Sequence, residues 1–217
     1  MTEETKGTKD RILDAAEVLL GERGPGETSL RDITAAAGVN LAAVNYHFQS
    51  KEALFRAVVE RRVAPMQRRR IELLDAAVRE AGGGQPDLSR IIEAFILPPL
   101  EMIETAPQFV PLMGRIYTEP QFVKEIVERH MLPYKEILMS ALRRACPGLS
   151  DEAIIWRLHF SIGAMSHVMA GAHLVQMSSE GRCNPGDLEA TRRQIIPYIV
   201  AGYRAPEPKG AAEPKEP

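Results

Sequence analysis

Apolar residues recur at helical spacing along most of the chain, and the first repeat begins a few residues in. Five of them fall at i, i+3, i+4, i+7 and i+8: Ile12, Ala15, Ala16, Leu19 and Leu20. This spacing predicts one face of a helix from Thr8 to about Arg23, with Asp14 and Glu17 pointing away from that face. The helix should end at Gly24-Pro25-Gly26, because glycine tolerates positive φ and proline cannot continue the helical hydrogen bonds.

A second, shorter helix is predicted to start at the sequence TSLRD. Thr28 or Ser29 supplies its N-cap, and Asp32 stands three residues after Ser29, as in a capping box. Its apolar face consists of Leu30, Ile33 and Ala37. Gly38 follows at the position of a left-handed C-cap.

A third helix follows after a turn of a few residues. Asn40 is its predicted N-cap, and the helix runs to about His47. Val39, Val44 and Phe48 are predicted to face the first two helices. Two short helices joined by a turn that contains glycine predict a helix-turn-helix, in which the second helix enters the DNA major groove.

The third helix has side chains suited to contacting base pairs rather than to carrying charge. Ala42 and Ala43 keep it slim, Asn45 can form two hydrogen bonds to adenine, and Leu41 or Ala43 can touch a thymine methyl. We expect phosphate contacts from helix N-termini and from four side chains around this helix: Thr28, Tyr46, His47 and Lys51.

Composition limits the other classes of function. The chain has 217 residues, 45% hydrophobic and 26% charged, which suits one large or two smaller globular domains. Its net charge of -2 gives no global signal for nucleic acid, and residues 28–51 carry an excess of only +1, from Arg31 and Lys51 against Asp32. We therefore expect modest DNA affinity per head, with dimerisation supplying the rest. Two cysteines and a start without an apolar core predict a reducing, cytoplasmic location.

A long, partly basic segment is predicted to link this head to the rest of the chain. Ser50 caps its helix, and Pro65 should end or kink that helix near Val63. An arginine cluster surrounds this proline: Arg61, Arg62, Arg68, Arg69 and Arg70. A solvated face with Glu60 and Glu72 as partners is the favoured interpretation, and a second DNA contact is the alternative.

After a glycine loop at 82–84, the apolar pattern predicts a helical body. The expected helices are 88–105, 107–118, 120–145, 150–178 and 185–203. Pro98-Pro99 and Pro133 should break or kink the first and third of these. Ser150 should cap the fourth, and Asn184 followed by Pro185 should begin the last. The tail 205–217 has no apolar face and is predicted to be disordered.

Residues 158–179 carry no formal charge with histidine neutral, and three interpretations compete for them. Three histidines, a glutamine and four serines argue against a membrane helix. Small residues, among them Gly163 and Ala170, permit close helix packing in a dimer. A ligand pocket between helices is the third interpretation, with seven candidate residues: Met102, Phe109, Met113, Tyr117, Trp156, Phe160 and Met169.

Neither a metal site nor a catalytic site is predicted. His159, His167 and His173 are eight and six residues apart, so they do not stack on one helical face as metal ligands would. The chain has no Gly-rich phosphate loop, nucleophile elbow or HExxH motif, and no cofactor is implied.

Residues 8–59 resemble the N-terminal DNA-binding domain of the TetR family of transcriptional regulators. The resemblance rests on Ile-Leu-x-Ala-Ala in the first helix, Ala-Gly-Val in the turn, and Tyr-x-Phe followed by Ser-Lys-Glu-Ala-Leu. It implies phosphate contacts at Thr28, Tyr46, His47 and Lys51, with Ser29 beside them. It implies base or groove contacts at Asn40, Leu41, Ala42, Ala43 and Asn45. Many members have an aromatic residue where Asn45 stands, and that departure favours base contact here.

The resemblance also implies an all-α homodimer with a three-helix head at 1–52, linking helices at 53–81 and a helical-bundle ligand-binding and dimerisation domain at 82–204. Two heads about 34–36 Å apart would contact a palindrome in double-stranded DNA. The later motifs WRLHFSIGAMSHVMAG and IIPYIVAGYRA resemble a subgroup that includes fatty-acid-responsive repressors. A repressor released by a small apolar effector, such as a fatty acid or acyl-CoA, is therefore expected. Drug-like or aromatic effectors are one alternative, and a protein-interaction module with a vestigial head is another.

Overall fold

A computed structural model describes residues 7–116 and 127–208. These residues form helices, turns and loops without a strand, so the predicted all-α class is confirmed. The first four helices are α1 (Thr8–Arg23), α2 (Leu30–Ala37), α3 (Leu41–Phe48) and α4 (Lys51–Glu80). The body contains α5 (Leu88–Leu100), α6 (Met102–Thr105), α7 (Val110–Ile116), a π-helix (Val127–Met131), α8 (Leu132–Ala145), α9 (Asp151–Ala170), α10 (Ala172–Ser178) and α11 (Leu188–Arg204). Within the described ranges, no helix is both long and apolar enough to cross a membrane.

The three helices of the head form the core that the apolar pattern predicts. Its central side chains are buried: Ile12, Ala16 and Leu20 of α1, Ile33 of α2, and Val44 and Phe48 of α3. The caps agree as well. The Ser29 Oγ accepts from the Asp32 N–H while the Asp32 carboxylate accepts from the Ser29 N–H, and Gly38 has φ 62°. The Asn40 Oδ1 accepts from the Ala43 N–H at 2.9 Å, which sets the start of α3.

The turn between α3 and α4 carries backbone strain. Gln49 has φ 66° and ψ -35°, outside the usual range of residues with a Cβ. The Ser50 N–H donates to the Phe48 carbonyl at 2.8 Å, which closes a γ-turn centred on Gln49. Such positions cost about 1–3 kcal/mol unless the residue is glycine. The turn matters because it sets the direction in which α3 projects from α4.

We predict that Gln49→Gly raises the free energy of unfolding by about 1 kcal/mol, because relief of the strain exceeds the added backbone entropy of glycine. Urea unfolding followed by circular dichroism measures the change. Gln49→Ala keeps a Cβ and is the matched control, expected within about 0.5 kcal/mol of the parent. Equal stability of the two variants would contradict strain at this residue.

Helix α4 continues through Pro65, so of the two outcomes expected near Val63, an end or a kink, the end does not occur. Pro65 removes the N–H that would bond the Arg61 carbonyl, but its own side chain is exposed and water can satisfy a carbonyl on that side. Val63 and Met66 on either side of it are buried. Packing of this inner face therefore holds a single helix between the head and the body.

Pro98 and Pro99 both lie within α5, which ends at Leu100, and α6 begins at Met102. The expected helix 88–105 is therefore interrupted just after the two prolines. The ring of Pro99 leaves the Phe95 carbonyl without its helical donor. The Nε of Arg70 takes that place and donates to the Phe95 oxygen at 3.0 Å. A side chain of α4 thus supplies the donor that Pro99 lacks. The two helices, α4 and α5, pack against each other.

Three other boundaries differ from the expected ones. Residues 107–109 form a turn before α7, and Pro133 lies in the first turn of α8, just after the π-helix. The expected helix 150–178 is interrupted at Gly171, where a Cβ would lie 2.6 Å from the His167 carbonyl oxygen. Ser150 does cap α9, as predicted, by accepting from the Ala153 N–H.

The last helix does not begin at Pro185, and Asn184 is not its cap. The Asn184 Oδ1 accepts from the Gly186 N–H at 3.0 Å and from the Gln176 side chain at 2.8 Å, so it forms an Asx turn instead. Asp187 caps α11 through the Ala190 N–H.

The beginning of the predicted disordered tail is held against the body. The Glu207 carboxylate accepts from the Ser150 N–H at 3.1 Å and from the Ser150 Oγ at 2.5 Å. Arg157 donates to the carbonyls of Tyr203 and Pro206 at 2.6 and 3.3 Å. The tail prediction is therefore wrong for 205–208, whereas 209–217 lie outside the described residues.

Candidate nucleic-acid interface

Helix α3 presents a slim, uncharged outer face. Ala42, Asn45 and Tyr46 are exposed, the last with 83% of its surface accessible, and Leu41 is 46% exposed. The opposite face carries the buried Val44 and Phe48, which fix α3 on the head. Of the predicted base-contacting residues, Leu41, Ala42 and Asn45 are thus exposed. Ala43 is half-buried against the core, and the Asn40 side chain caps the helix.

The predicted phosphate-contacting side chains around α3 differ in their exposure and in the contacts that they already make within the protein. Lys51 is the first residue of α4, and its Nζ lies 5.2 Å from the ring centroid of Phe55. His47 is half-buried, and its ring centroid lies 5.1 Å from that of Tyr46 in an edge-on arrangement. Ser29 is exposed, but its hydroxyl is already bonded to Asp32 at 2.5 Å. The first amides of α2 and α4 add the partial positive charge of helix N-termini.

The Thr28 side chain is turned into the head, where its hydroxyl is not accessible for the predicted phosphate contact. The residue is 1% exposed, and its Oγ1 donates to the carbonyls of Gly24 and Leu19 at 2.8 and 3.2 Å. These bonds hold the residue before α2 against the C-terminal end of α1.

Glu17 is the functional residue that the sequence pattern misplaced. It was expected to point away from the helical core face, yet it is 0% exposed. Its carboxylate accepts hydrogen bonds from Arg61, from the Nε and NH2 of Arg62 at 3.0 and 2.8 Å, and from the Gln108 side chain at 2.8 Å. Arg61 also donates to Asp14 at 2.7 Å. We call these five residues the Glu17 cluster; it joins α1 of the head, α4 and the turn before α7.

The Glu17 cluster is held by charge as well as by geometry. Burial opposes the charge of Arg61, but the hydrogen bonds that it donates to Glu17 and Asp14 outweigh burial and raise the pKa of its guanidinium. Backbone packing supports the same contact, since a Cβ added to Gly21 would lie 2.1 Å from the Gln108 carbonyl oxygen. The head and the body therefore touch directly at this point.

The Glu17 cluster also corrects the interpretation of the arginine cluster as a solvated face. Arg61 and Arg62 are engaged with Glu17, Arg70 is buried, and Glu60 pairs with Arg129 at 2.9 Å. Arg69 does pair with Glu72, loosely, at 3.9 Å. The opposite charges of Glu17 and of the two arginines are visible in the sequence. Helical spacing, however, does not tell which acidic residue a given arginine contacts.

The structure describes six of the seven predicted ligand-lining residues, and Tyr117 lies outside the described residues. Met102, Phe109, Met113 and Met169 are buried in the body. Trp156 and Phe160 are 59% and 66% exposed, so they do not lie with those four in the buried core. Both lie on the outward side of α9, where the helical period places residues four apart on one face.

Large apolar side chains are exposed on each of the last three helices: Ile155, Trp156, Phe160, Leu174, Met177 and Tyr198. Three of them lie together. The rings of Trp156 and Phe160 stack with centroids 5.8 Å apart beside a surface hollow of about 850 Å³ that Tyr198 also lines. We call this the aromatic face. Contiguous apolar surface of this kind usually marks an interaction site.

In residues 7–116 and 127–208, no three His, Cys, Asp or Glu side chains are grouped as metal ligands would be. Cys146 is buried and Cys183 is exposed, and both are free thiols.

Two family models match the sequence, one in the head and one in the body. The model of bacterial regulatory proteins of the tetR family matches residues 12–58, and the model of the tetracyclin repressor-like C-terminal domain matches residues 93–202. The chain belongs to the TetR family. Members of this family are DNA-binding transcriptional regulators, and the C-terminal match extends over just over half of the chain.

Relatives in the TetR family are repressors and regulators of moderate similarity. The repressor KstR2 of Rhodococcus jostii is 27% identical over 148 residues, 68% of this chain and 66% of KstR2. The repressor BepR of Brucella suis biovar 1 is 29% identical over 102 residues, 47% of this chain and 46% of BepR. The matches thus span between about half and two thirds of these relatives. Among solved structures, the SmeT–triclosan complex is 20% identical with a TM-score of 0.60, covering 97% of this chain and all of that one, which supports the fold.

Proposed function

We propose that this TetR-family chain is a homodimeric repressor that binds a palindromic operator through α3 and is released by a small apolar effector. The observation that carries the DNA-binding part is the outer face of α3, where Ala42 and Asn45 are exposed on a helix otherwise fixed by Val44 and Phe48. Small side chains let the helix enter the major groove, and an amide can form two hydrogen bonds to adenine.

The aromatic face supports the homodimer. Its exposed aromatic side chains, Trp156, Phe160 and Tyr198, are of the kinds enriched at interface cores. Gly163 and Ala170 on the same helix are small and exposed, so a second helix can approach closely. A two-fold axis through this face would repeat the head, and a palindrome has the matching symmetry.

The Glu17 cluster offers a physical route from effector to DNA. An effector lowers operator affinity only through its preference for a body conformation that the operator-bound dimer disfavours. Gln108 belongs to the turn between α6 and α7 and bonds Glu17 of the head directly. Movement of that turn would therefore move α1 or break its buried ion pairs.

The proposed effector has an apolar acyl chain. The resemblance to fatty-acid-responsive repressors favours an acyl ligand, and the buried Met102, Met113 and Met169 suit an apolar body. Drug-like or aromatic effectors remain the alternative ligand class, and a protein-interaction module is the alternative that binding to a defined palindrome would reject.

We predict that Asn45→Ala and Lys51→Ala weaken DNA binding in different ways. Loss of the Asn45 amide should lower the preference for the correct base over a wrong one by about 1–3 kcal/mol at one base pair. Affinity for a scrambled duplex should fall less. Loss of the Lys51 charge should weaken all duplexes alike and reduce the slope of log affinity against log salt by about 1. Fluorescence anisotropy with a selected operator and a scrambled duplex, over a salt series, measures both.

Arg182→Ala is the charge control, because Arg182 is a 78% exposed cation of the body, in the segment between α10 and α11, and is not among the predicted DNA contacts. We expect its salt slope to equal that of the parent. An Asn45→Ala variant with undiminished preference for the operator would contradict base contact at that residue.

A further inference from the structure

A permanent cation lies inside the body. Arg70 of α4 is 2% exposed, and its guanidinium carbon lies 4.7 Å from the ring centroid of Phe95 and 5.5 Å from that of Tyr134. Besides its bond to the Phe95 carbonyl, it donates to the Gln67 Oε1 at 3.4 Å. In such low-dielectric surroundings a positive charge attracts an anionic oxygen more strongly than it does in water.

The second of these rings, that of Tyr134, carries a buried hydroxyl. Tyr134 is 4% exposed, and its Oη has no hydrogen-bond partner. Buried hydroxyls are nearly always bonded, so an orphan of this kind calls for an explanation. Burial raises the pKa of Tyr134 to about 12, with the Arg70 charge opposing that rise. The hydroxyl therefore keeps its proton at neutral pH and can donate it to an acceptor.

The hydrophobic core that includes Phe95 and Tyr134 also contains flexible side chains. Among the described residues, its buried methionines are Met66, Met102, Met113, Met139, Met165 and Met169. Methionine has three rotatable bonds and a polarizable sulfur, so these positions can rearrange around a flexible apolar chain at lower cost than branched side chains can. Phe95 and Tyr134, with nearly parallel rings 6.5 Å apart, add a stiff wall next to the cation.

We propose that Arg70 and Tyr134 bind the anionic oxygen head group of an effector whose apolar body lies among these methionines. The inference rests on the proposed ligand response and adds the chemistry of the ligand's head. The guanidinium supplies the charge and the phenol donates one hydrogen bond. A cationic effector would meet the Arg70 charge at this point and is disfavoured.

Three probes with one apolar chain and different heads test the inference on the full-length protein: oleate, oleyl alcohol and oleylamine, each below the concentration at which it aggregates. Thermal shift and calorimetry should show binding of oleate, with the alcohol at least about tenfold weaker because it lacks the charged acceptor. Binding of the alcohol or the amine as tight as that of oleate overturns the inference.

The variant Tyr134→Phe separates a ligand role from a merely structural one. Removing the orphan hydroxyl should raise the unfolding midpoint of the free protein, while oleate affinity falls about tenfold for the loss of one charge-assisted hydrogen bond. Tyr203→Phe is the matched control: it removes a second buried hydroxyl without a hydrogen-bond partner, on a ring that is not one of the two that Arg70 contacts, and it should leave oleate affinity unchanged.

Unchanged oleate affinity in Tyr134→Phe overturns the inference, as does the absence of binding by all three probes. Both outcomes leave the DNA-binding function standing, because operator binding is measured separately on the protein without ligand.

Discussion

Phe160→Asp should convert the protein to monomers and weaken binding to its operator at least about a hundredfold. The substitution places a carboxylate at the centre of the proposed interface, and the two-fold symmetry places a second one there. Truncating central aromatic residues of an interface commonly costs about 2 kcal/mol or more each, and buried unpaired charges cost more. Operator binding suffers in turn, because linked heads gain roughly 10²–10⁴ in avidity over a single head.

Light scattering after size-exclusion chromatography measures the mass, and anisotropy measures operator affinity. Ile137→Asp is the matched control: Ile137 is an exposed hydrophobic residue of α8, outside the aromatic face. It should remain dimeric with parental affinity. Because Phe160 is 66% exposed in the protomer, the variant should keep the circular dichroism of the parent. A Phe160→Asp protein that stays dimeric would refute the aromatic face as the interface.

Glu17→Gln should lower the free energy of unfolding by about 2–3 kcal/mol, although it changes a single atom type. The buried carboxylate accepts from both Arg61 and Arg62, and the amide leaves Arg62 without its anion and Arg61 with Asp14 alone. Breaking a buried pair from one side typically costs about 3–5 kcal/mol. The arginine side chains are 24% and 28% exposed, so water moderates the loss and the lower figure is expected.

Thermal unfolding monitored by circular dichroism should show a fall in midpoint of about 5–10 °C for Glu17→Gln. Glu180→Gln is the matched control, because Glu180 and its partner Arg182 are both 78% exposed. Exposed pairs contribute about 0–1 kcal/mol, so that variant should differ little from the parent. Equal midpoints for the two variants would show that the Glu17 cluster contributes no more than a surface ion pair.

The head could be predicted almost residue by residue, because its signals are local. A capping box at Ser29, a left-handed glycine at Gly38 and an N-cap at Asn40 each act within four residues of the chain. The burial of the Thr28 side chain was not predicted, because its cause is not local. Its hydroxyl bonds the Leu19 carbonyl nine residues earlier, and the sequence alone did not reveal how the loop folds back.

The body was harder to predict, because tertiary packing there overrides local rules. Pro65 does not end α4, since one face of the helix stays packed while the proline faces solvent. Arg70 was assigned to a solvated face, yet it bonds a carbonyl that Pro99 had left without a donor. Glu17 and Gln108 are 91 residues apart in sequence and meet only once the helices are packed. Trp156 and Phe160 looked like pocket residues because aromatic composition does not say which side of a helix is covered.

Selection of duplexes from a random pool by the full-length protein is the most direct test of a dimeric, operator-binding repressor. Sequencing of the bound fraction should reveal a two-fold symmetric site with half-site centres about 34–36 Å apart, one turn of DNA or a multiple of it. An adenine contacted by Asn45 should appear at the same position of each half. Enrichment of no sequence, or of a single unsymmetric half-site, would contradict the account.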